Sequence, residues 1–174
     1  EVYFDSLDLA DMSSMTYEAL AFTIIKRFVD DIPDNRLMSF IKNAYYQGAF
    51  PPTVAPISRT SKTLSVLELW HGPTCAFKDM ALQILPEFMV GSLAVADEKN
   101  EILILTATSG DTGKAALEGF KNKKGIKIMV FYPENGVSEM QKYQMITQEG
   151  DNVSVVAVRG NFDDAQTGVK EIFT

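Results

Sequence analysis

Lys78 is the residue whose surroundings point most directly to chemistry. It lies in an otherwise uncharged stretch, after a predicted strand and before a predicted apolar helix, with Asp79 as the only nearby charge. An amine becomes a nucleophile when its neutral form is accessible, and both partial desolvation and the positive end of a helix dipole favour that form. A solvated surface lysine is the commoner explanation of such a residue, and the environment alone leaves that alternative open.

A second segment has the features of an anion-binding turn. The apolar run at 101–107 predicts a buried parallel strand, and the glycine-containing turn at 108–113 leads directly into a predicted helix. Unpaired backbone N–H groups at such a helix start can bind a carboxylate or a phosphate. The hydroxyls of Ser109 and Thr112 add two further hydrogen-bonding groups to this turn.

The turn does not match the common phosphate-binding loops. A nucleoside-triphosphate loop has about four residues between its glycines and a Ser or Thr after its lysine. Here two residues separate Gly110 from Gly113, and Ala115 follows Lys114. A Gly-x-Gly-x-x-Gly fingerprint is also absent from the turn. A simple strand–helix turn without a ligand is therefore the competing interpretation.

Taken together, the motifs resemble those of threonine synthase, a pyridoxal-phosphate enzyme of the tryptophan-synthase β fold. The resemblance covers about residues 15–174 and is strongest from Val66 onward. It is specific because several separate motifs occur in the same order and spacing. The matching stretches are His71-Gly72-Pro73-Thr74, Phe77-Lys78-Asp79, Ser109-Gly110-Asp111-Thr112-Gly113, Tyr132-Pro133 with Val137, Ser138, Gln141 and Gln144, and Gly160-Asn161-Phe162-Asp163-Asp164-Ala165-Gln166.

The resemblance implies a lyase of threonine biosynthesis, which converts O-phosphohomoserine and water to threonine and phosphate. It implies that Lys78 carries pyridoxal 5'-phosphate as an aldimine and then, freed by the substrate amine, moves protons among the substrate carbons. The cofactor ring accepts the electrons left when the Cα proton departs. Arginine could not replace this lysine, because its guanidinium stays protonated.

The resemblance also assigns the residues around Lys78. It leaves open whether Asp79 pairs with Lys78 or with another neighbour. We interpret His71 as a hydrogen-bonded loop residue, and the polar residues at 160–166 as a helix cap. Asp111 fits threonine synthases, because related pyridoxal enzymes often carry Asn there; Phe77 could equally be a core residue. The implied cofactor contacts are Lys78, Phe77 and Asp111, and the implied substrate contacts are Ser109, Gly110, Thr112 and Gly113.

Two other functions stay open. One is a different pyridoxal-phosphate lyase of the same fold, such as an amino-acid dehydratase or a threonine-phosphate phospho-lyase, and the other is an inactive α/β binding domain. The glycine-rich phosphate loop and the pyridine-nitrogen partner of the family are not found in this sequence. Because the chain begins with Glu1, stops inside a predicted helix and is much shorter than the family's chains, we expect it to be a fragment. Because the phosphate loop and the pyridine-nitrogen partner are not found, we expect this fragment to bind cofactor weakly and to show no turnover alone.

Composition is typical of a globular enzyme. Of the 174 residues 46% are apolar and 22% are charged, and the net charge is −7. Because the sequence contains no basic patch, we do not expect nucleic acid as a partner. A single His excludes a multi-histidine metal site, and Cys75, interpreted as a small buried residue, excludes an intrachain disulfide. With no signal peptide and no apolar run of about 18 residues, we expect a cytoplasmic location and no membrane association. The resemblance to threonine synthase implies a small-molecule substrate, O-phosphohomoserine, as the partner.

Residues 1–57 are predicted to form a helical N-terminal segment. Apolar residues recur at helical spacing in two stretches, and each stretch is predicted to form a core face. Pro33 suits the first turn of the second helix, and a proline-rich connector follows at 50–56. The first stretch consists of Tyr17, Leu20, Ala21, Ile24, Ile25 and Phe28, and the second of Leu37, Phe40, Ile41, Ala44 and Tyr45.

Residues 58–174 are predicted to form an α/β cofactor-lysine domain, incomplete at its C-terminus, with a parallel sheet and flanking helices. Ser138 and Gln141 match a capping box, and Pro86 should interrupt its helix. Because sites in parallel sheets lie at the carboxyl ends of strands, Lys78 and the turn should converge. The predicted strands span 63–69, 101–107, 126–132 and 153–158, and the predicted helices span 78–96, 112–124, 137–149 and 162–173.

Overall fold

The computed structural model describes residues 8–173, and it divides the chain into two compact units between His71 and Gly72. Among residues 8–173, no helix combines the length and apolarity that crossing a bilayer requires. The predicted domain limits, 1–57 and 58–174, stay a prediction, because a compact unit is defined by packing and a domain by independent folding.

Three helices begin the first unit: α1 spans Leu9–Ser13, α2 spans Tyr17–Ile25 and α3 spans Asp34–Tyr45. Side chains cap the first two, since Asp8 accepts from the N–H of Ala10 and Thr16 accepts from the N–H of Ala19. Pro33 stands directly before α3 and supplies its fixed backbone angle at the helix start.

The two predicted apolar stripes have different outcomes. The stripe on α3 is confirmed, because all five of its predicted residues are buried. The stripe on α2 is wrong as a core face, because no residue of α2 is buried and Phe28, beyond its end, is 57% exposed. The apolar residues of α2 are spread over several of its faces. Its contact with α3, which includes the Tyr17–Tyr45 ring pair at 5.1 Å, therefore covers only some of them.

A short antiparallel hairpin ends the first unit. Strand β1 (Ile57–Arg59) pairs with β2 (Ser65–Leu67), and all six residues are exposed. The strand predicted at 63–69 therefore exists in part, but its assignment to the parallel sheet was wrong. The physical reason is local, because the N–H of Thr60 donates to the carbonyl of Leu64 and closes a turn that folds the chain back on itself.

The second unit contains the parallel sheet. Strands β3 (Ile102–Ala107), β4 (Ile126–Pro133) and β5 (Val153–Val158) lie in the order β3-β4-β5, and both pairs are parallel. This sheet, its flanking helices and the helical segment before it confirm the predicted α/β class.

Five helices connect and flank these strands. Pro86 lies in the first turn of α5, so the predicted interruption of the helix at 78–96 is confirmed. Capping boxes start α7 at Ser138 and α8 at Asn161, which confirms both predicted helix starts. The five helices are α4 (Asp79–Leu82), α5 (Leu85–Val95), α6 (Asp111–Phe120), α7 (Glu139–Ile146) and α8 (Phe162–Glu171).

The core of the second unit lies between the central strand and α6. Alternate residues of β4 point into it, as expected for a strand whose side chains alternate between two faces. This core holds the later turns of α6, and residues 108–110 join the end of β3 to the start of that helix. Its buried members are Ala116, Leu117 and Phe120 of α6, Ile126, Ile128, Val130 and Tyr132 of β4, and Met145 of α7.

Candidate active site

The loop before α4 is held by its own backbone. The N–H of Cys75 donates to the carbonyl of Gly72 at 3.1 Å, and the N–H of Asp79 donates to the carbonyl of Ala76 at 3.0 Å. Lys78 follows these turns and begins the helix, because its carbonyl accepts from the N–H of Leu82 at 2.9 Å. Lys78 therefore lies on a fixed backbone rather than on a loose loop.

Asp79 pairs with Thr74, which answers the question that the sequence left open. Its carboxylate is fully buried and accepts from the N–H of Thr74 at 2.9 Å and from the Thr74 hydroxyl at 2.7 Å. Burial raises the pKa of Asp79, and the hydrogen bonds from Thr74 partly oppose that rise. A Cβ on Gly72 would lie 2.5 Å from the Cβ of Asp79, so only glycine permits this close approach.

The amine of Lys78 is turned to an aromatic ring. Its Nζ lies 4.1 Å from the centre of the Phe77 ring, a distance at which a cation is attracted to the ring face. Among residues 8–173, no carboxylate forms an ion pair with Lys78. Phe77 is 61% exposed, so the alternative interpretation of Phe77 as a core residue is wrong.

Thr108 organises the turn at 108–113, and the sequence analysis assigned it no function. Its buried hydroxyl oxygen accepts from the N–H of Gly110 at 3.0 Å and from the N–H of Gly113 at 2.8 Å, and it donates to the Gly110 carbonyl at 3.2 Å. Thr108 therefore caps α6 from two residues before the cap position, where Gly110 has no side chain. A Thr at a strand end before a glycine turn is the signal that could have identified it.

The remaining donors of the turn face outward. Within the described residues, no hydrogen bond occupies the backbone N–H groups of Asp111 and Thr112. The side chains of Ser109 and Thr112 are exposed beside them. Free N–H groups at a helix start, with hydroxyls next to them, form an arrangement that can bind an anion.

Asp111 is anchored by a residue from another helix. The side-chain amide of Gln141, on α7, donates from Nε2 to Oδ1 of Asp111 at 2.8 Å. The carboxylate also stands in the first turn of α6, where the helix dipole stabilises a negative charge. The sequence predicted Gln141 only as part of a capping box with Ser138, and its contact with Asp111 did not follow from the sequence.

Helices α4 and α6 pack closely against each other in this unit. A Cβ on Gly119 would overlap the carbonyl oxygen of Leu82, so the two helices approach at a glycine. Lys78 stands at the start of α4 and the turn stands at the start of α6. No hydrogen bond joins Lys78 to the turn among residues 8–173, and the convergence of their side chains stays a prediction.

Lys114, one residue after the turn, is a second lysine to consider. Burial lowers its pKa, whereas the nearby carboxylate of Glu118 raises it. Its Nζ donates to the side-chain oxygen of Gln148. The amine of Lys114 is therefore already engaged with the segment that follows α7.

Comparison with known proteins shows which proteins this chain is similar to. A family model described as "Threonine synthase N terminus" matches residues 3–45. The threonine synthase of Pseudomonas aeruginosa is 41% identical over 168 residues, which cover 95% of this chain and 35% of that protein. A human protein named threonine synthase-like 1 is 39% identical over 165 residues, covering 91% of this chain and 22% of that protein.

A solved structure agrees with these sequence matches. The crystal structure of PLP-bound threonine synthase from Brucella melitensis superposes with a TM-score of 0.86 at 35% identity, covering 96% of this chain and 36% of that one. This chain belongs to the threonine synthase family. It spans about a third of the length of the Pseudomonas and Brucella threonine synthases that it matches.

His71, which belongs to a quoted motif, and Cys75, which lies between two of the motifs, also have clear outcomes. His71 is hydrogen-bonded through Nε2 to Oε2 of Glu68 at 2.5 Å, which confirms the interpretation as a loop residue with a partner. Hydrogen bonds from Ser58 and His71 lower the pKa of Glu68. Cys75 is exposed, so its interpretation as a buried residue was wrong; its backbone is left-handed, with φ of 60°, within the turn before Lys78.

Proposed function

We propose that this chain provides the cofactor lysine of a threonine synthase, with pyridoxal 5'-phosphate bound to Lys78 and O-phosphohomoserine as substrate. One observation carries the proposal. The nearest acid, Asp79, is buried on Thr74, so the amine of Lys78 has no carboxylate partner among residues 8–173. An amine that no carboxylate binds is left available to condense with the aldehyde of a cofactor.

The residues present fit a pyridoxal group. Lys78 offers a primary amine for the aldehyde, and the exposed Phe77 ring lies 4.1 Å from that amine, in position to pack against a flat ring. Asp111 would contact the cofactor edge. When bound, pyridoxal phosphate supplies an electron sink for the charge that develops at the substrate carbons.

The turn at 108–113 would bind the substrate. The N–H groups of Asp111 and Thr112 and the hydroxyls of Ser109 and Thr112 would donate hydrogen bonds to its carboxylate. Thr108 already occupies the N–H groups of Gly110 and Gly113, so the two glycines would contribute through backbone shape and close approach. Binding the carboxylate would fix the direction in which the substrate Cα faces.

Lys78 would then serve as the base. Its neutral amine accepts a proton from a substrate carbon, and its protonated form returns one to another carbon. Over the whole reaction phosphate leaves from Cγ, water adds at Cβ, and threonine is the product. A lysine on the rigid start of α4 can serve several neighbouring carbons because its side chain is long and flexible.

The substrate is the finer part of the proposal. Asp111 and the similarity to proteins named threonine synthase both support O-phosphohomoserine as the substrate. Because the chain is also similar to a threonine synthase-like protein, the activity test includes the substrates of related lyases. The full-length protein should convert O-phosphohomoserine to threonine and phosphate. Release of 2-oxobutyrate from threonine, or attack on threonine phosphate, would instead indicate one of the other two lyases.

Borohydride reduction tests the attachment directly. The full-length protein is loaded with pyridoxal phosphate and reduced, and its peptides are mapped by mass spectrometry. We expect the label on Lys78, and we expect Lys114 to be unlabelled because its amine is engaged with Gln148. Lys78→Ala should remove the label and the activity. A label on another residue would contradict the proposal, and an unchanged ligand affinity in Lys78→Ala would indicate a binding domain.

A further inference from the structure

We propose that Gln141 is the positioning residue of the turn at 108–113, through its contacts with Asp111 and Gly110. Gln141 lies on α7, 30 residues beyond Asp111 in sequence, and it touches the turn only because the two helices start side by side. The inference rests on the proposed function in one respect, since that function makes the turn the binding site of the substrate anion.

The hydrogen bonds of Gln141 are divided between two tasks. Its Oε1 accepts from the backbone N–H of Ser138 at 3.1 Å, which completes the capping box of its own helix. Its Nε2 donates to Oδ1 of Asp111 at 2.8 Å. A capping box needs only the acceptor, and Glu serves that purpose as well as Gln does. The amide donor is therefore the part of Gln141 that capping does not explain.

Gly110 provides an independent observation. Its φ is 143°, in the region that favours glycine, and a Cβ there would lie 2.5 Å from Nε2 of Gln141. The amide of Gln141 thus lies against the backbone at the point where the turn enters α6. The position of the amide and the shape of the turn depend on each other.

The contact has an electrostatic consequence for anion binding. An Asp in the first turn of a helix can accept hydrogen bonds from the free N–H groups of that turn. Asp111 would then compete with a substrate carboxylate for the same donors. Because Gln141 holds Oδ1 of Asp111 from the side of α7, the carboxylate is kept on that partner and the donors of the turn stay available.

A reciprocal exchange tests the contact in the full-length protein. Gln141→Glu keeps the capping acceptor but replaces the donor by a second carboxylate facing Asp111. Asp111→Asn keeps an acceptor for Gln141. The double variant restores the hydrogen bond with donor and acceptor exchanged. Gln144→Glu is the matched control, since it adds the same charge to the same helix and Gln144 forms no hydrogen bond with α6 in the described chain.

Two readouts are measured on all variants: KM and kcat for O-phosphohomoserine, and the thermal unfolding midpoint. We expect Gln141→Glu to raise KM about tenfold, with a smaller effect on kcat, and to lower the midpoint by about 2 °C. The double variant should return both values close to those of Asp111→Asn. Gln144→Glu should change KM less than about twofold.

The outcomes separate this inference from the proposed function. If the wild-type protein converts O-phosphohomoserine but the effects of the two substitutions on KM add, the positioning by Gln141 is wrong. If the wild-type protein converts none, the proposed function is wrong. In that case the midpoints decide, because additive midpoints would also overturn the positioning and non-additive midpoints would support it.

Discussion

The carboxylate of Asp79 accepts both hydrogen bonds that Thr74 can donate, from its N–H at 2.9 Å and its hydroxyl at 2.7 Å. These bonds join the beginning of the motif loop to the first residue of α4. Lys78 lies between the two partners in sequence and takes part in neither bond. Asp79 thus stabilises the loop backbone through Thr74, and the amine of the neighbouring Lys78 is not bound by that carboxylate.

The buried charge of Asp79 predicts a pH dependence of stability. Because burial raises its pKa, the folded protein keeps this proton to a higher pH than the unfolded chain does. Between the two pKa values the folded state binds more protons, so stability falls as pH rises through that window. We expect the urea midpoint of wild type minus that of Asp79→Asn to decrease as pH rises.

The control for this experiment is Asp151→Asn, which removes an exposed carboxylate. The difference between wild type and this variant should vary less with pH. A difference between wild type and Asp79→Asn that stays flat would show that the Thr74 hydrogen bonds cancel the effect of burial on the pKa of Asp79, and one that grows with pH would show that they outweigh it; either result would contradict the prediction.

The contact of α4 with α6 predicts a severe effect of one methyl group. A Cβ on Gly119 would overlap the carbonyl oxygen of Leu82, so Gly119→Ala must push α4 and α6 apart. We expect a loss of about 2 kcal/mol in the free energy of unfolding, and weaker labelling of Lys78 by borohydride because α4 carries that lysine.

Gly168→Ala is the matched helical control, because a Cβ there has no atom within 4 Å. It should stabilise the protein by about 0.5–1 kcal/mol through helix propensity. Equal effects of the two alanines, measured by chemical denaturation, would contradict the close approach of the two helices.

The local signals of the sequence predicted much of the fold. Strand β5 has the predicted bounds, and Ser138 starts α7 with the predicted capping box, because both features depend on residues close together in the chain. The apolar stripe of α3 is buried as predicted. The stripe of α2 failed because the burial of a helix face depends on what covers it, and periodicity does not contain that information.

The site was predictable in its motifs and unpredictable in its contacts. Lys78 and the glycine turn stand at helix starts, as the sequence indicated. The choice of Thr74 as the partner of Asp79 depends on the fold of the loop between them, and the bond from Gln141 to Asp111 depends on the packing of two helices. Neither contact follows from residue type or spacing alone.

Two substitutions of Thr108 distinguish the contribution of its hydroxyl to stability from that of its methyl group. Thr108→Val keeps the volume but leaves the N–H groups of Gly110 and Gly113 without their acceptor, at a cost of about 2 kcal/mol. Thr108→Ser keeps the hydroxyl and loses a methyl group that packs near Gly113, at a cost of about 1 kcal/mol. Denaturant unfolding of both variants measures the order, and a larger loss in the Ser variant would contradict the capping function.

The side-chain amide of Asn152 joins three parts of the second unit, and we expect its substitution to destabilise the protein. Its Nδ2 donates to the carbonyls of Phe120 and Ile126, both at 2.8 Å, and its Oδ1 accepts from the N–H of Asn122 at 2.6 Å. Asn152→Asp places a carboxylate oxygen against two carbonyl oxygens, and we expect it to lower the free energy of unfolding by about 3 kcal/mol.

Asn135→Asp, at an exposed turn, adds the same charge and should cost less than about 0.5 kcal/mol. Because both variants carry one added negative charge, a similar loss in both would assign the effect to net charge, whereas a loss confined to Asn152→Asp would assign it to the two carbonyls that the amide bridges.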